Sequence, residues 1–208
     1  MKKNLFFLLA ALCSLQSFAA GLIPATLVKI DGEKIECLVQ DFRIDAKELY
    51  YKESQDSKFV SIKSDELIRA IIHYDDGDII FDYVKYINHS SFMRGKDKVA
   101  KKPMWMQLVI SGPCSLYTYR IITRQNRFTY TEDWYACKKQ DEDVPRIVSS
   151  ISSGITVNLF DQFYKALSNY FSDYPELAEK IKAKKYSRKD IVEIVNEYNL
   201  EKSVKITE

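Results

Sequence analysis

The stretch LIRAIIHYDDGDIIFDYVKYI, from Leu67 to Ile87, holds two runs rich in β-branched and aromatic residues on either side of Asp75-Asp76-Gly77-Asp78. Apolar runs of this kind, separated by a short Asp/Gly cluster, form strands joined by a compact hairpin, because those residues accept the backbone angles of a tight turn. A chain built on such units is strand-rich, and the same pattern extends in both directions.

Upstream, Val28 and Ile30 alternate up to Asp31-Gly32, a second hairpin signal. Ile35, Cys37 and Val39 then share a face, and alternation resumes at Phe42 and Ile44 with opposite parity, which predicts a bulge near Gln40-Asp41. Strands are also expected at Glu48 to Lys52 and Phe59 to Lys63. Downstream, Met104 to Ile110, Ser115 to Ile122 and Phe128 to Lys138 continue the pattern. A hairpin turning around Gln125-Asn126 would set Cys114 directly opposite Cys137, at disulfide distance.

Beyond Gly154 the period changes. Leu159, Phe160, Phe163, Tyr164, Leu167, Tyr170 and Phe171 recur at helical spacing. Ser172-Asp173 supplies an N-cap for a second helix with Pro175 in its first turn and Leu177 and Ile181 four apart. Ser187 and Asp190 resemble a capping box, and Ile191, Ile194, Val195 and Tyr198 form the stripe of a third helix. The expected fold is α+β: a mostly antiparallel β-sheet or open barrel at 20–152, with two or three C-terminal helices at 153–208 packed on it.

The first 19 residues have another character. Lys2 and Lys3 precede an apolar run from Leu5 to Leu12, and Ser17-Phe18-Ala19 places small residues three and one before a cut. This is the order of a cleavable secretory signal, and the run is too short for a span of about 20 residues. Cys13 follows Leu12, the wrong size for a lipidation site. No later window reaches transmembrane length, so no span is expected in the mature chain. The exported form is expected in the periplasm, at the cell surface or outside the cell.

Removing the signal leaves 29 basic against 29 acidic residues, so charge gives no argument for nucleic acid. With 14 Tyr, 11 Phe and few Gly or Pro, the composition suits a folded, strand-rich domain. Three cysteines remain, Cys37, Cys114 and Cys137, enough for one disulfide and a spare thiol; Cys37, on an apolar face, is expected as a buried structural residue.

The run FSDYPELAEKIKAKKYSRKDIVEIVNEYN (Phe171 to Asn199), with SLYTY (Ser115 to Tyr119) and WYACKK (Trp134 to Lys139), resembles a group of exported Bacteroidetes proteins with no assigned activity. The resemblance implies a signal peptide, a strand-rich body with Asn-Gly or Asp-Gly hairpins, here Asp31-Gly32, and closing helices around a D-x-PEL motif, here Asp173, Pro175, Glu176 and Leu177. These motifs are structural and carry over no catalytic residue.

Among chemical groups, His73, Asp75, Asp76 and Asp78 form the densest cluster. It lacks the spacing of a calcium loop, so a solvated turn is favoured over a weak cation site at Asp75, Asp76 and Asp78. His89 stands beside Ser90, but neighbours on a strand point to opposite faces. The chain has no G-x-S-x-G, H-E-x-x-H or P-loop. Asn88-His89-Ser90 matches a glycosylation sequon, by chance in a bacterial protein. No cofactor is expected.

Arg94, Lys96, Lys98, Lys101 and Lys102, in the aperiodic stretch Met93 to Pro103, are expected to form a basic loop which, with Trp105 following, offers a cation-plus-aromatic recognition surface. Tyr50, Tyr51, Tyr83, Tyr86, Tyr117, Tyr119, Tyr130 and Tyr135 fall in strands, where some must face outward as a second binding platform. The expected function is an exported, non-catalytic protein binding an envelope protein, glycan or anionic surface. The alternative is a hydrolase of envelope glycans or peptides with Asp75 to Asp78 as its site.

Overall fold

A computed structural model of the protein describes residues 21–40, 42–88, 98–125, 128–152 and 160–206. The strands are β1 (Leu22–Lys29), β2 (Lys34–Gln40), β3 (Glu48–Lys52), β4 (Val60–Lys63), β5 (Leu67–Tyr74), β6 (Gly77–Val84), β7 (Ile87–Asn88), β8 (Lys98–Val99), β9 (Met104–Ile110), β10 (Cys114–Gln125), β11 (Phe128–Lys139) and β12 (Arg146–Ser152). Three helices follow, α1 (Phe160–Tyr170), α2 (Pro175–Lys182) and α3 (Ile191–Ile206). The sheet order is β4-β3-β2-β1-β5-β6-β9-β10-β11-β12-β7-β8, antiparallel except where β12 meets β7. The α+β class is as the sequence predicts, and the sheet is open, with β4 and β8 at its ends.

It is nevertheless strongly coiled. Val84 pairs with Met104 of β9, while Ile87, three residues on, pairs with Arg146 of β12. The distal strands therefore curl back to the segment leaving β6.

Alternation along the shared strands divides the interior into three cores. Phe81 and Tyr83 of β6 and Trp105 of β9 join Leu27, Val39, Leu67 and Ile72 in the first. Val84, Met106 and Leu108, from the opposite faces, join Tyr117, Tyr119, Ala136 and Ile147 in the second. The outer faces of β10, β11 and β12, through Leu116, Cys137 and Val148, are covered by Phe163, Leu167, Leu177, Ile181, Ile194 and Val195 of the helices, forming the third.

Two local expectations are corrected. No bulged strand carries Phe42 and Ile44: β2 ends at Gln40, and both side chains pack against the first core from an irregular segment. The second helix has Tyr174 as its N-cap, with no side-chain bond, because Asp173 is drawn away to Lys139, Tyr198 and Lys202. The capping box at Ser187 and Asp190 is present and opens the turn into α3. No helix among the described residues is long and apolar enough to cross a membrane.

Candidate functional site

The basic stretch ends in strand β8, which pairs with β7 through Ile87 and Val99. The Ala100 amide then donates to the Tyr86 carbonyl at 2.7 Å, fixing the bend that follows. Lys98, Lys101 and Lys102 are exposed on this end strand and bend, as is Lys85 beside Tyr86. Among the described residues none of these four ammonium groups has a carboxylate partner. Arg94 and Lys96 lie outside the described residues, as does His89.

Trp105 does not belong to this surface. It is fully buried, its ring 5.3 Å from Phe42 and 5.0 Å from Tyr83, and its indole N–H donates to Ser64 Oγ at 3.1 Å. Ser64 in turn donates to the Ala46 carbonyl at 2.7 Å. The second residue of β9 points into the first core whatever the charge of the loop before it. Among the strand tyrosines, Tyr50 and Tyr130 are exposed, while Tyr51, Tyr117 and Tyr119 are buried.

The acidic cluster is split by its hairpin. Tyr74 pairs with Gly77, so Asp75 and Asp76 are the exposed turn, with Gly77 supplying φ 132°. Asp78 faces back along the sheet, its Oδ1 2.7 Å from His73 Nδ1; His73 Nε2 lies 2.9 Å from Thr26 Oγ1, and Thr26 donates to Glu36 at 2.8 Å.

Acid, imidazole and hydroxyl follow one another as in a nucleophilic triad. Two features oppose that chemistry. Thr26 sits mid-strand between β2 and β5, its backbone committed to ladders on both sides, so no amides are spare to stabilise an oxyanion. Its hydroxyl hydrogen is directed to Glu36 rather than to the imidazole. The network serves as a cross-strand link over β2, β1, β5 and β6. No group of three or more His, Cys, Asp or Glu among the described residues is placed to hold a metal ion.

The expected cysteine bridge is also corrected. Gln125 pairs with Phe128, a register one residue later than the expected turn would give, and Cys137 faces Leu116 rather than Cys114. Cys114 and Cys137 are diagonal neighbours on one face, where α-carbons stand about 7–8 Å apart, beyond the usual reach of a disulfide. Both are free, fully buried thiols. Burial raises Cys137 well above the ordinary thiol range and pushes Cys37 up to about 12, with Glu36 adding to the latter, so neither is a ready nucleophile.

Two clefts flank α1. One, of about 650 Å3, lies against the β11–β12 turn and includes Lys139, Glu142, Arg146, Lys165 and Tyr170. Most of its charges are engaged: Lys139 reaches Asp173 and the Tyr170 carbonyl, both at 2.6 Å, and Tyr170 donates to Glu142 at 2.5 Å. The other, of about 550 Å3, runs between α1 and α2 and carries Lys165, Lys182 and Lys184. The sequence signal for this second basic surface is the run Lys180 to Lys185, which a search for charge in loops passes over.

Against known protein families, characterised proteins and solved structures, the chain shows no match.

Proposed function

We propose that the mature chain is an exported, non-catalytic binding protein that engages an anionic surface of the cell envelope or its surroundings through Lys98, Lys101 and Lys102. The observation that carries this reading is the exposure of three ammonium groups on an end strand and its bend, without a carboxylate partner among the described residues. Each lysine close to an anionic surface contributes about 1 kcal/mol, an attraction that salt screens. Export is supported by the charged, apolar and small-residue order of residues 1–19, and membership of the exported Bacteroidetes group by the layout of hairpins and D-x-PEL helices.

The test uses chain 20–208 with two probes, vesicles containing phosphatidylglycerol and soluble polygalacturonate. Binding to at least one should weaken steeply as salt rises. Replacing all three lysines by glutamine should weaken it about 100-fold, from about 1 kcal/mol each. Equal binding by parent and triple variant would overturn the reading. If Thr26→Ala abolished turnover of an envelope glycan or peptide, the hydrolase alternative would replace it.

A further inference from the structure

The β10–β11 hairpin outruns the sheet that carries it. On one edge β10 pairs with β9 only through Leu116, Tyr117 and Thr118, although its ladder with β11 runs on to Gln125 and Phe128. The next rungs would set Arg120 beside Trp105, but the Trp105 amide donates to the Ile44 carbonyl at 3.1 Å, so the irregular segment after β2 takes the edge of β9 and turns β10 away. Among the described residues, no strand pairs with that edge of β10 beyond Thr118. Such an edge leaves alternate amides and carbonyls without a ladder partner.

Ile122 is 60% exposed and Ile121 39%, on opposite faces of the ribbon, and Tyr130, diagonal to Ile121 across the hairpin, is 38% exposed. A simpler cause accounts for only part of this: isoleucine favours strands. That explains a β-branched residue at these positions, a need that Thr118, Thr123, Thr129 and Thr131 meet with less apolar surface. From Tyr119 to Thr131 the sequence has Arg120, Arg124 and Arg127 and no Asp or Glu. The first acids, Glu132 and Asp133, stand at the base, where Arg120 donates to Asp133 at 2.6 Å. Arg124 is exposed farther out.

We propose that this ribbon inserts shallowly into an anionic lipid bilayer, with Ile121 and Ile122 entering the interface and Arg124 meeting lipid phosphate. Apolar side chains on both faces suit a medium that surrounds the ribbon, arginines without acids among them suit an anionic one, and a guanidinium meets phosphate through two parallel hydrogen bonds. The unpaired edge limits the depth, because its backbone groups need headgroups and water and cannot enter hydrocarbon. A second copy of the chain fits the edge less well: antiparallel pairing centred on Ile122 would set Arg120 against Arg124 of that copy, like charges directly opposite each other. The surface is separate from the β8 edge and uses none of its lysines.

Insertion is read from Ile122→Cys in chain 20–208, labelled there with an environment-sensitive fluorophore, the native thiols being buried. The emission should move to the blue with vesicles of phosphatidylcholine and phosphatidylglycerol, and stay in place with polygalacturonate, which has the charge without an apolar interior. Replacing Lys98, Lys101 and Lys102 by glutamine should leave the blue shift intact at higher lipid, so that the two surfaces are read separately. In unlabelled protein, Ile121→Thr combined with Ile122→Thr should weaken vesicle binding at least about tenfold, with the melting temperature within about 2 °C of the parent, since both side chains are exposed. Arg124→Gln should weaken it about fivefold. No blue shift with the vesicles, an equal one with polygalacturonate, or vesicle binding unchanged by the paired threonine substitutions would each overturn the proposal. So would a dimer of the parent chain that the same substitutions abolish, which would assign the edge to a second copy.

Discussion

At the scale of single residues, the helical segment is held to the sheet by a side chain acting as a strand. Asn199 Oδ1 accepts from the Cys114 amide at 2.6 Å, and Asn199 Nδ2 donates to the Cys114 carbonyl at 2.9 Å. The fit requires Gly112, since a Cβ there would stand 2.8 Å from Asn199 Nδ2. Asn199→Ala, which strands both backbone groups, should cost about 2–3 kcal/mol, and Gly112→Ala about 1–3 kcal/mol, read as shifts of the denaturation midpoint. Trp105→Ala should cost about 3–5 kcal/mol, the penalty of emptying a buried aromatic site. A residue that served recognition from the surface would leave stability unchanged. The sequence could not orient Trp105, because both faces of β9 meet a core, Trp105 one and Met106 the other, and alternation alone does not rank them.

At the scale of elements, Asp173 joins the α1–α2 turn to β11 and α3. Burial opposes its charge, but the ammonium groups of Lys139 and Lys202 and the Tyr198 hydroxyl outweigh it and hold the carboxyl well below the usual carboxylate range. A carboxyl whose value is lower in the folded state stabilises above its unfolded value of about 3.9, and that contribution fades as the pH falls below it. Asp173→Asn should therefore cost about 1–2 kcal/mol at pH 7, allowing for partial exposure, and the gap to the parent in melting temperature should narrow below about pH 4. The β10–β11 hairpin makes a second prediction: alkylation in denaturant followed by intact mass should report three free thiols in chain 20–208, and alkylation of the native protein should report almost none. The strands of that hairpin were legible from their alternation. Its turn was not, because Gln125 to Arg127 contain neither glycine nor proline to mark it, and one residue of error moved Cys114 from opposite Cys137 to diagonal. The capping box was legible because its two partners are three residues apart; the partners of Asp173 lie up to 34 positions away.

At the scale of the molecule, the twelve strands found among the described residues form one coiled sheet and serve three cores there by sending alternate side chains to opposite faces. Periodicity shows that such faces exist. It does not show which are shared, nor that Ile87 meets Arg146 in parallel, a contact made across 59 positions by curvature of the whole sheet. The site was legible in the same unequal way: Lys98, Lys101 and Lys102 stand out as charge density, whereas nothing in the sequence removes Trp105 from beside them. Binding through the β8 edge is tested most directly by hydrogen–deuterium exchange of chain 20–208 with polygalacturonate or phosphatidylglycerol vesicles, at low and high salt. Residues 98–102 should be protected at low salt, and the protection should disappear at high salt. Binding that leaves those residues unprotected, or protection there that ignores salt, would contradict it.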